Sequence, residues 1–348
     1  TENVAVGMHA LGSNTTANNN TAVGHDALAQ NTTADYNVAI GVDAMNANTT
    51  GNQNVVVGSL ALDANTEGYE NTAVGYNCLS NVTDGDHNTA IGHDALENVS
   101  TGSYNNALGR DAGRNITTGS SNICIGQNTA DAGDHTGVVA VGSFALTTNS
   151  ADYNTAIGYF ASRLNTTGAN QVSVGRQALE ANTTGQNNTA VGVYALLNNT
   201  TAGDNTAIGY RALYSNTTGG DNTALGDSAL AANTTGEYNV AVGRQALTAS
   251  NGSNNVSIGW QSLLANTTGN DNTAIGMQAL TTATTASNVV GGANRVLYNS
   301  SSNSTTTSSN LTFDGTNLSV GGDITAFASD IRLKTNLEQI EGAVAKVC

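Results

Sequence analysis

Short apolar triplets alternate with polar turns along this chain at a fixed interval. A block of the type Asn-Thr-Ala-Val-Gly closes on a glycine at positions 7, 24, 41, 58, 75, 92, 109, 126 and 142, and again at 158, 175, 192, 209, 226, 243, 259, 276 and 291. The spacing is 17 residues, falling to 16 at three steps and to 15 at the last. A period this short cannot hold a helical hairpin and fits one coil of a β-solenoid. In Thr72-Ala73-Val74-Gly75 the period of two predicts a short strand, with Thr72 and Val74 on one face and Ala73 on the other. The place before the glycine is always Val, Ile or Leu, which predicts that this row fills the internal core. The alternate place is nearly always Ala or Ser. That row predicts a surface against which something packs closely, and Ala207, Ala224 and Ala241 are expected at a threefold packing surface between chains. The Ala-Leu pairs that follow, such as Ala27-Leu28 and Ala229-Leu230, predict a second short strand with Leu inward. Asn-Thr-Thr-Gly at 48–51, 182–185 and 266–269 predicts a turn.

Stacked coils supply the hydrogen-bond ladder and apolar column that one coil lacks. At about 4.8 Å per coil, eighteen coils make a rod of roughly 85 Å. Asparagines recur four residues before the glycine, for example at 37, 54, 71 and 88. They fit either a stacked amide ladder or an Asx-turn at each corner. Val138, Gln171 and Ser287 interrupt the row and are expected to break any ladder. Between Gly109 and Gly158 the pattern loosens, since Gly113 and Ala130 replace the second-strand Leu. A local bend, bulge or change of coil width is expected there.

Composition narrows the function classes. The 348 residues carry 10 Lys plus Arg against 26 Asp plus Glu, a formal charge of -16, with 40 Gly and no Pro. The acidic balance disfavours nucleic acid as a partner. No run of 18 apolar residues predicts a membrane-spanning helix, and no leader pattern is evident. Cys78, Cys124 and Cys348 form neither a disulfide framework nor a zinc spacing, and the five His are too scattered along the chain to predict a metal triad. No cofactor and no metal are expected.

Asn-Val-Ala-Ile-Gly at 37–41, Asn-Thr-Ala-Ile-Gly at 205–209 and Asn-Val-Ala-Val-Gly at 239–243 resemble the head repeat of trimeric autotransporter adhesins. The resemblance implies a left-handed parallel β-roll, three chains of which pack around a common axis. It covers residues 1–291 in motif, although that family's unit is about three residues shorter. The expected architecture is therefore an all-β parallel β-solenoid of about 18 coils, assembled as a homotrimer.

The repeat shaft is expected over 1–295, a Ser/Thr/Asn-rich linker over 296–310 and a small β segment over 311–328. Leu311-Thr-Phe313 and the Asp314-Gly315 turn predict a hairpin. Leu-Thr-Phe-Asp-Gly, the Ser329-Asp330 pair, Arg-Leu-Lys and Asn-Leu together resemble the start of the intramolecular chaperone domain that closes many bacteriophage tail fibres and tailspikes. The resemblance implies that residues 329–348 begin such a domain. In that family it drives trimerisation and then cuts itself off, here between Ser329 and Asp330. Ser329 would be the nucleophile and Lys334 the base, which requires a lysine pKa lowered by burial or nearby charge.

These signals predict a non-enzymatic virion tail-fibre or spike component. Its expected partners are two further copies of itself, other tail proteins and a host-surface glycan or protein, with no membrane insertion. An adhesin head on a bacterial surface is the alternative. A glycan-degrading spike would use Asp131 and Asp134, calcium would use turns such as Asp84-Gly-Asp86, and an ice-binding solenoid would use stacked Thr pairs. Tyr159, Tyr210 and Trp260, each directly after a repeat glycine, are candidates for sugar contact or for packing between chains.

Overall fold

The structure, a computed structural model, describes residues 2–292, 311–313 and 318–320. Eighteen three-residue strands, from β1 (Val4–Val6) and β2 (Thr21–Val23) to β17 (Thr273–Ile275) and β18 (Val290–Gly292), form one parallel sheet. Each strand pairs with its neighbours one coil away, Thr206 with Thr223 and Ala207 with Ala224, for example. The chain is thus a repetitive parallel β-solenoid with a 17-residue coil. At the last coil Ala274 aligns with Gly291 and Ile275 with Gly292, so the 17-residue register persists. Gly291 stands at a strand centre, not in the glycine column. Val289, not Ser287, takes the asparagine place, its N–H donating to Asn272 Oδ1 at 3.0 Å.

The two faces of the sheet are the reverse of the sequence expectation. The Ala/Ser row points inward: Ala207, Ala224 and Ala241 are 0% exposed inside their own chain, so they offer no surface to a second copy. The Val/Ile/Leu row points outward, with Ile40 at 39% and Leu108 at 48% exposure. Volume explains the reversal. The fully buried leucines (Leu28, Leu62, Leu79, Leu196, Leu213 and Leu230 among them) already occupy the narrow lumen. Small groups fit opposite them, a methyl or hydroxymethyl in most coils and the isopropyl of Val56 in one. Compensation at exceptions supports this. Gly113 vacates a Leu place, and the space beside it is taken by Leu96 Cδ2, Ile116 Cδ1 and Cys124 Sγ, with Cys124 at an Ala place. Ser162, at another Leu place, donates a 2.8 Å hydrogen bond to Ser173, at an Ala place.

The Ala-Leu segment is not a strand. Leu28 and Leu213 adopt left-handed backbone, φ 51° each. Their N–H groups nonetheless bond the next coil, Leu28 N to Ala44 O at 3.1 Å and Leu213 N to Ala229 O at 3.0 Å. Stacking therefore satisfies the backbone without extended conformation, and it offsets the cost of the left-handed angle. The repeat glycine is needed both for its backbone angle and for the close approach of the next coil. Gly209 has φ +134°, and a Cβ on it would lie 2.6 Å from the Gly226 carbonyl oxygen of the next coil.

The asparagine row is a buried ladder. Asn54 N–H donates to Asn37 Oδ1 at 2.9 Å, and Asn54 Nδ2 donates to Gly68 O of the following turn at 3.0 Å. Gln171 continues it, donating through its N–H to Asn154 Oδ1 at 2.9 Å and accepting at Oε1 from Asn188 N–H at 3.3 Å. Val138 keeps the backbone link to Asn122 Oδ1 at 2.9 Å but has no amide to pass on. A second buried ladder runs through the Asn of Asn-Thr-Thr-Gly. Asn216 Nδ2 donates to Asn199 Oδ1 at 2.9 Å and to Gly219 O at 2.8 Å. This second ladder stops where Val82, Val99 and Ile116 take its place, and Asn65 Oδ1 is left buried without a partner.

Between Gly109 and Gly158 the lumen is repacked around Gly113, whereas the change of coil length falls in the outer turns. The strands there, β7 (Asn106–Leu108), β8 (Ile123–Ile125), β9 (Val139–Val141) and β10 (Thr155–Ile157), stay in unbroken register. The first of the two one-residue shortenings falls before His135, which stands where Gly119 stands one coil earlier. In the tail, β19 (Leu311–Phe313) and β20 (Leu318–Val320) pair antiparallel, as the hairpin signal predicted. The linker at 296–310, and Ser329, Asp330 and Lys334 in the segment 329–348, lie outside the described residues.

Candidate functional site

The outward row before the glycines is the most extended chemical feature of the solenoid. Val57, Ile91, Leu108, Ile125, Ile157, Ile208, Leu225, Ile258 and Ile275 are exposed members of this row, half-buried valines stand between some of them, and the parallel register sets each residue of the row over the one in the next coil. Beside them runs the first residue of each strand, half-buried Thr or Val in most coils. No charged side chain occurs in either row, because every strand from β1 to β17 has Thr, Val, Ile or Asn first and Val, Ile or Leu third. Monomeric proteins rarely expose a contiguous apolar patch beyond a few hundred Å².

Tyr159, Tyr210 and Trp260 are all exposed and share the column just after the glycine. They stand three coils apart, about 14 Å at the coil spacing, and do not form one aromatic cluster. Each has its own surroundings. Tyr159 stacks on Phe160 at 3.9 Å between centroids. Tyr210 lies 5.2 Å from the Arg211 guanidinium, which also reaches Tyr194 and Tyr214. These cation–π contacts already occupy ring faces that a sugar would use.

Asp131 and Asp134 have different environments. Asp134 Oδ1 accepts from the N–H groups of Thr117, Thr118 and Gly119 at 3.0, 2.9 and 2.7 Å, and Oδ2 accepts from Thr118 Oγ1 at 2.6 Å. Burial pushes its carboxyl upward, but these hydrogen bonds outweigh burial and hold it at about 2. All of this is turn capping. Asp131 is half-buried and raised by desolvation, with Oδ1 unpartnered. The adjacent His135 is buried. Its Nδ1–H donates to Gly133 O at 2.7 Å, its Nε2 has no partner, and desolvation holds its pKa below the ordinary value. Asp86, of the Asp84-Gly-Asp86 turn, accepts from Tyr69 N–H of the previous coil at 2.9 Å. A shallow concavity of about 230 Å³, lined by Leu164, Glu180, Ala181, Leu197 and Asn198, is smaller than ordinary ligand pockets. Burial pushes the Cys78 and Cys124 thiols up to about 12, which suppresses thiolate chemistry.

Sequence reasoning missed what coil stacking does to distant titratable groups. His25, Asp26 and Asp43 come together, as do His93, Asp94 and Asp111. The signal was the shared offset from the glycine: Asp26, Asp43, Asp94 and Asp111 all occupy the second place after it. No helix among the described residues is long and apolar enough to cross a membrane. No family model, curated protein or solved structure matches the chain.

Proposed function

We propose that this solenoid scaffold assembles as a homotrimeric rod through its exposed Val/Ile/Leu column, and that it serves as a tail-fibre or spike component of a bacteriophage presenting a host-contact surface. The apolar column is the observation that carries the reading. A partner that covers it must be as long as the rod and match its coil spacing, and a further copy of this chain meets both conditions. The column is also the uncharged side of a chain of formal charge -16, the face where copies approach with least repulsion. Weak host contacts repeated on three chains would gain by avidity.

The viral assignment is supported by the motif at 311–334, with Ser329 as nucleophile and Lys334 as base of a single self-cleavage before Asp330. The Asn-x-Ala-Ile-Gly repeats support a second reading, an adhesin head on a bacterial surface. Mass by light scattering tests the assembly. Three chains are expected for the unaltered protein, and Ile208→Lys with Leu225→Lys should yield a folded monomer. A stable monomer of the unaltered chain would refute the trimer. For the viral reading, the chain expressed with its natural downstream sequence should release a C-terminal fragment that Ser329→Ala and Lys334→Ala abolish. A downstream sequence that encodes an outer-membrane anchor would favour the adhesin.

A further inference from the structure

The first three coils hold a cluster of metal-ligating side chains that the rod itself does not require. His9, Asp26 and Asp43 occupy the second place after Gly7, Gly24 and Gly41, and share left-handed backbone with φ of 59°, 54° and 55°. The same backbone angle in successive coils stacks their side chains in one column. His25, one place earlier in its coil, reaches in from the side. Its Nδ1 lies 3.0 Å from Asp26 Oδ2, and His9 Nδ1 lies 3.1 Å from Asp26 Oδ1. One donor atom each from His25, Asp26 and Asp43 falls within a sphere of mutual distances under 4.8 Å.

The solenoid contains its own comparison. His93, Asp94 and Asp111 stand at identical places four coils on, with His93 Nδ1 2.9 Å from Asp94 Oδ2. There the charge is already neutralised. Arg110 Nε sits 3.2 Å and Arg114 Nη1 3.7 Å from Asp111, and Asn77 donates to Asp94 at 2.8 Å. In the first cluster the corresponding places hold Val42, Asn46 and His9. No lysine or arginine precedes Arg110 anywhere in the chain. Asp63, one coil beyond Asp43, adds a further carboxylate whose Oδ1 is buried without a partner. The first cluster is therefore a concentration of carboxylates with two imidazoles and no permanent cation.

We propose that His25, Asp26 and Asp43 bind one divalent transition-metal ion per chain. An imidazole nitrogen with two carboxylates suits zinc and its neighbours, whereas calcium and magnesium prefer oxygen alone. On binding, His25 ligates through one neutral ring nitrogen and keeps its proton on the other. The ion ties two successive coils together. The inference concerns a single chain and stands whether or not the chain trimerises.

The test is calorimetric titration of zinc into the full, untagged chain after chelator treatment. One zinc per chain is expected. His25→Ala and Asp43→Asn should each weaken binding by at least the roughly 10–100-fold that loss of a mere outer-shell partner costs. Val42→Arg, which installs the cation of the second cluster, should abolish uptake with an unchanged circular dichroism spectrum. His93→Ala should leave it intact. No saturable uptake, or uptake that survives Val42→Arg and His25→Ala, overturns the site.

Discussion

At the scale of the residue, buried asparagine amides do work that a thin core of Ala and Leu cannot. Each amide donates to a turn carbonyl, of the next coil in the first ladder and of its own turn in the second, and its oxygen accepts from the neighbouring asparagine, so its value depends on its place in the ladder. Asn216→Val in the middle of the second ladder orphans Asn199 Oδ1 and deprives Asn233 Nδ2 of one acceptor. Asn65→Val merely shifts an existing orphan from Asn65 Oδ1 to Asn48 Oδ1. A buried unsatisfied group costs about 1–3 kcal/mol, and Asn216→Val should exceed Asn65→Val by that amount in denaturant unfolding. Equal losses would show that the ladder is not a chain of dependent bonds. The first asparagine row could be read from its constant offset. The second was concealed, because Asn-Thr-Thr-Gly is equally a sufficient turn sequence.

The titratable pair Asp134 and His135 gives the outer turn at 131–137 a pH dependence. Asp134 is held at about 2 against an ordinary 3.8, so its contribution is complete above 3.8 and lost as pH falls toward 2. His135 is depressed from 6.5 by burial, so the unfolded turn binds its proton more readily. Stability therefore declines as pH drops below about 6.5. Amide exchange, corrected for its intrinsic rate, should be faster at pH 5 than at pH 7 over 131–137, and unchanged at 182–185. Equal protection at both pH values would contradict the burial of His135.

At the scale of the element, the coil was readable in length and register but not in its inside and outside. Alternation divides Thr72, Ala73 and Val74 between two faces without saying which is enclosed. The usual assumption that the larger apolar residue lies inside fails here, since Leu from the opposite wall has already filled the lumen. The second strand was misjudged for a related reason. Ala-Leu looks apolar and extended, yet its hydrogen bonds run to the next coil from a left-handed turn. The glycine column is constrained both by its backbone angle and by close contact with the next coil. Gly209→Ala would set a methyl group 2.6 Å from the Gly226 carbonyl oxygen, against a backbone that cannot yield without unstacking. A loss of stability well beyond the about 1 kcal/mol typical of point substitutions is expected in thermal or denaturant unfolding. A neutral effect would mean that the coils stack less closely.

For the molecule as a whole, the solenoid is a sum of coils and nearest-neighbour interfaces, and its surface repeats as faithfully as its interior. That repetition turns single exposed residues such as Ile208 into a continuous apolar line. The rod could be recognised from the 17-residue period alone. The proposed contact face could not, because that depended on knowing which face of the strand was enclosed. Cysteine cross-linking places the contact most directly. In a Cys348→Ser background, Ile208→Cys should form a disulfide between chains under mild oxidation, whereas Thr218→Cys, exposed on the outer turn, should not. Cross-linking at position 218 but not at 208, or at neither, would contradict assembly through the Val/Ile/Leu column.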